Sequence, residues 1–253
     1  MPGAPSYNRA NPNNFTLAMT DLSQFPITQK WQPRNASQIQ LYSAPTSNGV
    51  KVSIMLEETG LSYEAHRVRF EADEQHSAEY LSAFPNGKIP AILDPDGPGG
   101  EPLLLFESGA ILLYLAEKTG TLLPSNPAER AQTIQWLMFQ MSGLGPMFGQ
   151  FGYFYKFDGR VLEDKRPLER YTNESRRLLG VLDDHLKGRT WMMGRDYSIA
   201  DIAIFPWIRA LRDTYGAGEV LELDKRREIM RVLENFLDRP AVARGVLIPG
   251  AHS

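Results

Sequence analysis

Apolar and polar positions change their period twice along this chain. Residues 38–42 alternate polar and apolar side chains as a half-buried strand should, and Ala44-Pro45-Thr46-Ser47-Asn48-Gly49 reads as a loop ending in helix-capping chemistry. Val50, Ile54 and Leu61 follow at helical spacing, with Gly60 as the stop. A second strand is expected over residues 63–69 and a short helical stretch over 77–83. Short apolar strands at 91–93 and 103–106 flank Asp94-Pro95-Asp96-Gly97-Pro98-Gly99-Gly100, whose Asp-Gly and Gly-Gly pairs signal a hairpin connection. An apolar helix over 108–119 closes this part of the chain.

Beyond a Pro/Asn/Ser-bearing stretch the pattern becomes helical only, with helices expected over 128–143, 168–186, 198–212 and 224–237. Ser198-Ile199-Ala200-Asp201 fits a capping box with Asp in place of Glu, a structural signal. The order β-α-β-α-β-β-α predicts a four-stranded mixed sheet with helices on both faces, the thioredoxin-like arrangement. The expected organisation is α/β plus all-α: an extension over 1–37, a thioredoxin-like domain over 38–120, a linker over 121–127, an all-helical domain over 128–243 and a tail over 244–253.

Composition narrows the chemistry. The chain has 253 residues, enough for two small domains with real cores, and 27 Lys plus Arg balance 30 Asp plus Glu. No basic surplus is present to neutralise phosphates, so nucleic acid is not an expected partner. No apolar run approaches the roughly 20 residues of a membrane span. The first 37 residues lack a basic leader and an apolar core segment, which gives a cytoplasmic expectation. Phe15, Leu17, Phe25 and Trp31 are the apolar anchors if this extension wraps the body or a partner subunit rather than hanging free. There is no cysteine, so any thiol chemistry must use a sulfur supplied by the ligand. His66, His76, His185 and His252 show no metal-ligand spacing, and no metal is expected.

Two short runs carry most of the functional signal. Phe84-Pro85-Asn86-Gly87-Lys88-Ile89-Pro90 offers bare backbone to a peptide-like ligand; Phe106-Glu107-Ser108-Gly109-Ala110-Ile111 offers a carboxylate, a hydroxyl and a free helix start. Separated by about one hairpin, they suit a zwitterionic peptide. Each residue also has a plain reading. Lys88 and Arg170 serve as solvated charges, Ser108 as an N-cap beside a favourably placed Glu107, and Thr46 and Asn48 as loop and cap chemistry.

A thioredoxin-like unit carrying NGKIP and ESGAILLYLAEK, followed by a helical domain with YSIADIAIFPW, resembles the cytosolic glutathione transferases from about residue 38 to 243. APTSNG, LFESGAILLYLAEKTG, QWLMFQMSGLGPMFGQ and the triplet Glu169-Arg170-Tyr171 look like the bacterial nu class, relatives of the fungal nitrogen-regulating prion protein. The missing cysteine departs from the classes that form a mixed disulfide with the protein. The resemblance implies a glutathione-dependent disulfide-bond reductase that holds two glutathiones, or their disulfide, and works as a homodimer. Transferase activity toward an electrophile and a binding module with little turnover are the alternatives.

By the same resemblance, Ile89-Pro90 is the cis-proline junction whose backbone pairs with the cysteinyl residue of glutathione, and Lys88 meets a carboxylate. Glu107 takes the γ-glutamyl ammonium, Ser108 and the helix start its α-carboxylate, and Gln75 closes over the glycyl end. Asn48 contacts the sulfur with Thr46 assisting, and Arg170 reaches the second molecule. Phe148, Phe151, Tyr153 and Tyr155 belong to the wall for the second substrate. Tyr42 and Ser43 are discounted as catalytic groups, Tyr42 because it fits the core alternation of its strand, Ser43 because Thr46 takes the hydroxyl position.

Overall fold

A computed structural model describes residues 21–250; Phe15 and Leu17 lie outside the described residues. After the short helix α1 (Ile27–Lys30), strand β1 (Ile39–Ser43), helix α2 (Gly49–Thr59), strand β2 (Tyr63–Arg67), helix α3 (Ala78–Ala83), strands β3 (Ala91–Asp94) and β4 (Leu103–Phe106) and helix α4 (Ser108–Thr119) follow in order. The sheet order is β2-β1-β3-β4, with β1 parallel to β2 and antiparallel to β3, which is antiparallel to β4. Gly60 and Gly120 end α2 and α4 in the left-handed conformation that glycine adopts without a Cβ penalty.

The half-buried reading of β1 needs correcting: all five of its residues are buried. β1 is a central strand covered on both faces, so alternation sorts its side chains between two cores rather than between core and water. Ile39 and Leu41 join Ile92, α2, α4 and the helical domain in one cluster. Tyr42 joins Ala91, Leu93, Tyr80 and Phe84 in the other. Phe25 and Trp31 close this second core, Trp31 by packing its ring against Tyr42 and Tyr80 and donating its indole N–H to Arg67 O at 3.3 Å. The described part of the N-terminal extension therefore folds back on its own chain.

The helical part comprises α5 (Pro127–Phe139), α6 (Gly145–Tyr155), α7 (Arg166–His185), α8 (Ile199–Arg209), α9 (Arg227–Leu237) and α10 (Pro240–Gly245). Two π-helical turns, Gln140–Leu144 and Ala210–Thr214, follow α5 and α8. The capping box at α8 forms as expected: Asp201 accepts from Ser198 N at 3.0 Å, and the Ser198 hydroxyl accepts from Ala200 N at 3.3 Å. Burial pushes the Asp201 carboxyl up to about 7, against the backbone N–H bonds from Met192 and Ser198 that favour its charge.

The two parts share one continuous core. α10 lies so close on α2 that a Cβ at Gly245 would approach Ile54 backbone atoms within 2.8 Å. Ser53 Oγ donates to Gly245 O at 2.7 Å, and Arg239 pairs in two places with Glu58 at 2.7 and 2.8 Å.

Candidate functional site

Strand register decides which loops meet. Tyr42 lies opposite Ala91, and Ala91 opposite Phe106, so the β1–α2 loop, the Ile89–Pro90 junction and the start of α4 all emerge at one end of the sheet. The backbone groups most open to a ligand gather there: the first turns of α2 and α4 and the Ile89 peptide. Ile89–Pro90 is cis. Ile89 N–H and C=O make no hydrogen bond among the described residues, while the neighbouring Lys88 carbonyl is taken by the Tyr80 hydroxyl at 2.7 Å. Tyr80 thus fixes the loop and leaves its next peptide for a ligand.

The β1–α2 loop is set by local bonds. Thr46 Oγ1 accepts from Gly49 N at 3.1 Å, so its hydroxyl proton remains to be donated outward. Gly49 is required here because a Cβ would collide with the Ala44 carbonyl oxygen. Asn48 does not cap α2; its Oδ1 accepts the Trp207 indole N–H at 2.9 Å. Indole nitrogen only donates, so this bond orients the Asn48 amide and commits its NH2 group to the other side. Thr46 and Asn48 line one cavity with Pro206, Trp207, Tyr215 and Phe157.

At α4 the N-cap position is Glu107, in the left-handed region at φ 72° and with no side-chain capping bond. A non-glycine residue there costs about 1–3 kcal/mol and is a feature of ligand clamps. Glu107 is exposed, whereas Ser108 is buried beneath it. Lys51 of α2, fully buried, donates from Nζ to Gln140 Oε1 at 2.6 Å and to Ser108 Oγ at 3.3 Å. Burial lowers this lysine to about 7, partly opposed by Glu107. Gln75 sits near the same loop end: its Nε2 donates to Asp73 Oδ1 at 2.9 Å, and its Oε1 is buried without a partner among the described residues. Gly87 keeps the loop against His76, which a Cβ would approach within 2.8 Å.

Several expected site residues stand elsewhere. Phe148 and Phe151 are fully buried and form core, not a cavity wall. The segment that holds them is helix α6, whose buried residues Gly145, Phe148, Phe151 and Gly152 fall on one face, so these two rings point at the interior. Tyr155 stacks on Phe151 at 5.0 Å, and Tyr153 is 44% exposed against Phe154; neither lines the Asn48 cavity. The aromatic walls are Trp207, Tyr215 and Phe157, with Tyr215 backed by Gly152 and Phe151. Arg170 lines a different cleft, between α6 and α7, with Met147, Tyr171, Asn173, Glu174 and Arg177. Tyr42 is wholly buried, its hydroxyl raised above the ordinary range by burial. Lys51, Gln140 and Trp207 are additions that the sequence reading missed; for Trp207 the available signal was the Pro206-Trp207 pair within the quoted motif.

Among the described residues no group of three or more His, Asp or Glu side chains could hold a metal ion, and no helix is long and apolar enough to cross a membrane. The donor set is instead that of a small zwitterionic ligand: two helix starts, an open peptide, a carboxylate and a hydroxyl.

Comparison with known proteins gives the same direction. Residues 37–117 match the glutathione S-transferase N-terminal domain and residues 144–240 the C-terminal domain. Disulfide-bond oxidoreductase YfcG of Escherichia coli is 49% identical over 210 residues, 83% of this chain and 94% of that protein. A glutathione transferase from Pseudomonas putida, solved with one glutathione disulfide per subunit, superposes with TM-score 0.90 at 64% identity, covering 91% of this chain and all of that one. Another, from Burkholderia graminis with two glutathione molecules per subunit, gives TM-score 0.92 at 58% identity over 94% of this chain and 99% of that one. With its thioredoxin-like sheet, its helical second half and relatives matched nearly end to end, the chain belongs to the glutathione S-transferase family.

Proposed function

We propose that this chain is a glutathione-dependent disulfide-bond reductase that binds two glutathiones, or glutathione disulfide, between the starts of α2 and α4 and uses their thiols as its only nucleophiles. The observation that carries the reading is the oriented Asn48 amide at an open cavity in a chain with no cysteine. The likeness to an oxidoreductase and to transferases that hold two glutathiones or their disulfide supports it.

In this scheme the first glutathione adds its cysteinyl backbone to the open Ile89 peptide, places its α-carboxylate on Ser108 and the start of α4, and offers its ammonium to Glu107. Lys88 and Gln75 attend the glycyl end. Asn48 Nδ2, the Thr46 hydroxyl and the α2 start stabilise the thiolate. That thiolate attacks one sulfur of a substrate disulfide, forming a mixed disulfide and releasing one thiolate. The second glutathione's thiolate then attacks the glutathione sulfur of that bond, giving glutathione disulfide and the second product thiolate. Electrons balance without a protein sulfur. Arg170 reaches the second glutathione in this proposal, which needs its cleft to be brought to the site, as in a homodimer of cytoplasmic chains. Tyr153 and Tyr155 keep no role in the cavity.

The aromatic cavity of Phe157, Trp207 and Tyr215 supports a second reading, conjugation of an apolar electrophile. Turnover of hydroxyethyl disulfide and of a chlorinated nitrobenzene by the same preparation separates the readings. Fast reduction with feeble conjugation is expected; the reverse order establishes the transferase reading, and inertness in both with glutathione bound establishes a binding module.

A further inference from the structure

Lys51 presents a problem of charge. It is fully buried, and among the described residues no carboxylate lies within ion-pair distance of it. Its neighbours are Gln140 Oε1, Ser108 Oγ and, at 3.9 Å, Met141 Sδ. An ammonium kept from water without a counter-ion is costly, and a Met or Leu side chain would fill the same space without that cost. Hydrogen-bond direction supplies the clue. Lysine only donates, so Ser108 Oγ accepts from it, and among the described residues the Ser108 proton has only the Met141 sulfur, at 3.6 Å, as partner. A carboxylate at the start of α4 is a far better acceptor.

We infer that Lys51 is a positioning residue whose missing counter-charge is the γ-glutamyl α-carboxylate of the ligand, reached through the Ser108 hydroxyl, so that binding draws a proton onto Lys51. This rests on the glutathione site proposed above. The surroundings leave few competing charges. Glu107 at the start of α4 is the one that acts on the ammonium. On α8, Asp201 is engaged with Met192 and Ser198, and Arg209 with Asp213. Near α10, Arg239 and Arg244 pair with Glu58 and Glu57 towards the far end of α2. On β1, Tyr42 belongs to the opposite core, and the π-turn after α5 offers only the neutral Gln140 and Met141. Because burial holds the free protein's lysine near 7, it is part-protonated at neutral pH and can respond.

Calorimetry with S-methylglutathione, which has no ionisable thiol, in phosphate, HEPES and Tris at pH 7 reads proton uptake directly from the dependence of the heat on buffer ionisation. Wild type is expected to take up about half a proton per site, and its affinity to fall as pH rises from 7 to 9. Lys51→Met should abolish the uptake and weaken binding roughly tenfold. Ser108→Ala, which removes the relay hydroxyl while keeping the lysine and its bond to Gln140, should reduce the uptake, and it serves if the first variant does not fold. Binding without proton uptake in wild type, or uptake retained in the folded Lys51→Met protein, overturns the inference while leaving the glutathione site standing. No binding of S-methylglutathione at millimolar concentration overturns the site itself and this inference with it.

Discussion

Replacing Asn48 by Ala should make the bound thiol harder to ionise, and the effect can be sized. A free thiol ionises near 8.5, and an N–H donor to a charged acceptor contributes about 1.5–3 kcal/mol, or roughly one to two pKa units. Thr46 and the start of α2 remain in the variant, so a rise of about one unit is expected. The rate should respond unevenly. At pH 6 the thiolate fraction falls about tenfold, but the more basic thiolate is roughly threefold more nucleophilic, since nucleophilicity rises with pKa with a slope near 0.4–0.5. A net loss of about threefold follows at pH 6, and a gain of about two- to threefold at pH 9, where both thiols are mostly ionised. Thiolate absorbance of bound glutathione against pH, with hydroxyethyl disulfide turnover at both pH values, measures this. An unchanged thiol pKa, or an equal loss at pH 6 and pH 9, refutes a donor role for Asn48. Trp207→Phe tests the orientation: it removes the 2.9 Å bond that fixes the amide, so the pKa should rise by less than in Asn48→Ala.

Three further outcomes follow from the structure. The free protein should gain stability between pH 7 and 9, because Lys51 is lowered to about 7 when folded and the unfolded chain binds a proton there that the folded chain lacks up to its ordinary 10.5. The difference in thermal stability between wild type and Lys51→Met should show this as a change of about 2 kcal/mol between pH 7 and 9, with little change in that difference below pH 7. Gly245→Ala should cost about 1–3 kcal/mol in denaturant unfolding, because the new Cβ meets Ile54 backbone that cannot move aside. Arg239→Ala should cost about 2 kcal/mol, since Glu58 is then buried with its charge unpaired; Glu58→Gln combined with it should recover part of the loss.

The fold was legible because local signals and tertiary demands agree. The register Asp94↔Leu103 places a turn-rich loop where the Asp-Gly and Gly-Gly pairs announced it, and Ser108–Thr119 begins and ends at the predicted residues. Failures came where one pattern serves two environments. The alternation in β1 reflects two buried faces, which no single strand's sequence separates from one buried and one wet face. Helix α6, with Gly145, Gly149 and Gly152 among its aromatics, looks like irregular chain because glycine weakens helices. Gly152 is there because Tyr215 occupies the space of a side chain, a tertiary demand with no local trace.

The site divides along the same line. Thr46, Asn48, Ile89, Pro90, Glu107 and Ser108 lie in loops and helix starts, where a short motif carries its own backbone geometry, and register brings those loops together. Lys51 and Trp207 reach Ser108 and Asn48 across sequence separations of 57 and 159 residues, and each looks ordinary in its own helix. A lysine in the middle of Gly-Val-Lys-Val-Ser-Ile reads as the polar face of an amphipathic helix; only the packing of α4 and the π-turn over α2 makes that face an interior. Chemistry carried by backbone exposure is thus written locally, whereas chemistry that depends on removing a charge from water exists only after the domains close. If so, loosening that closure with Arg239→Ala should raise the pKa of Lys51 towards its ordinary value and reduce ligand-linked proton uptake, although neither Arg239 nor Glu58 touches the site. Unchanged uptake in a variant that has lost stability would show that the burial of Lys51 is set by α2, α4 and the π-turn alone.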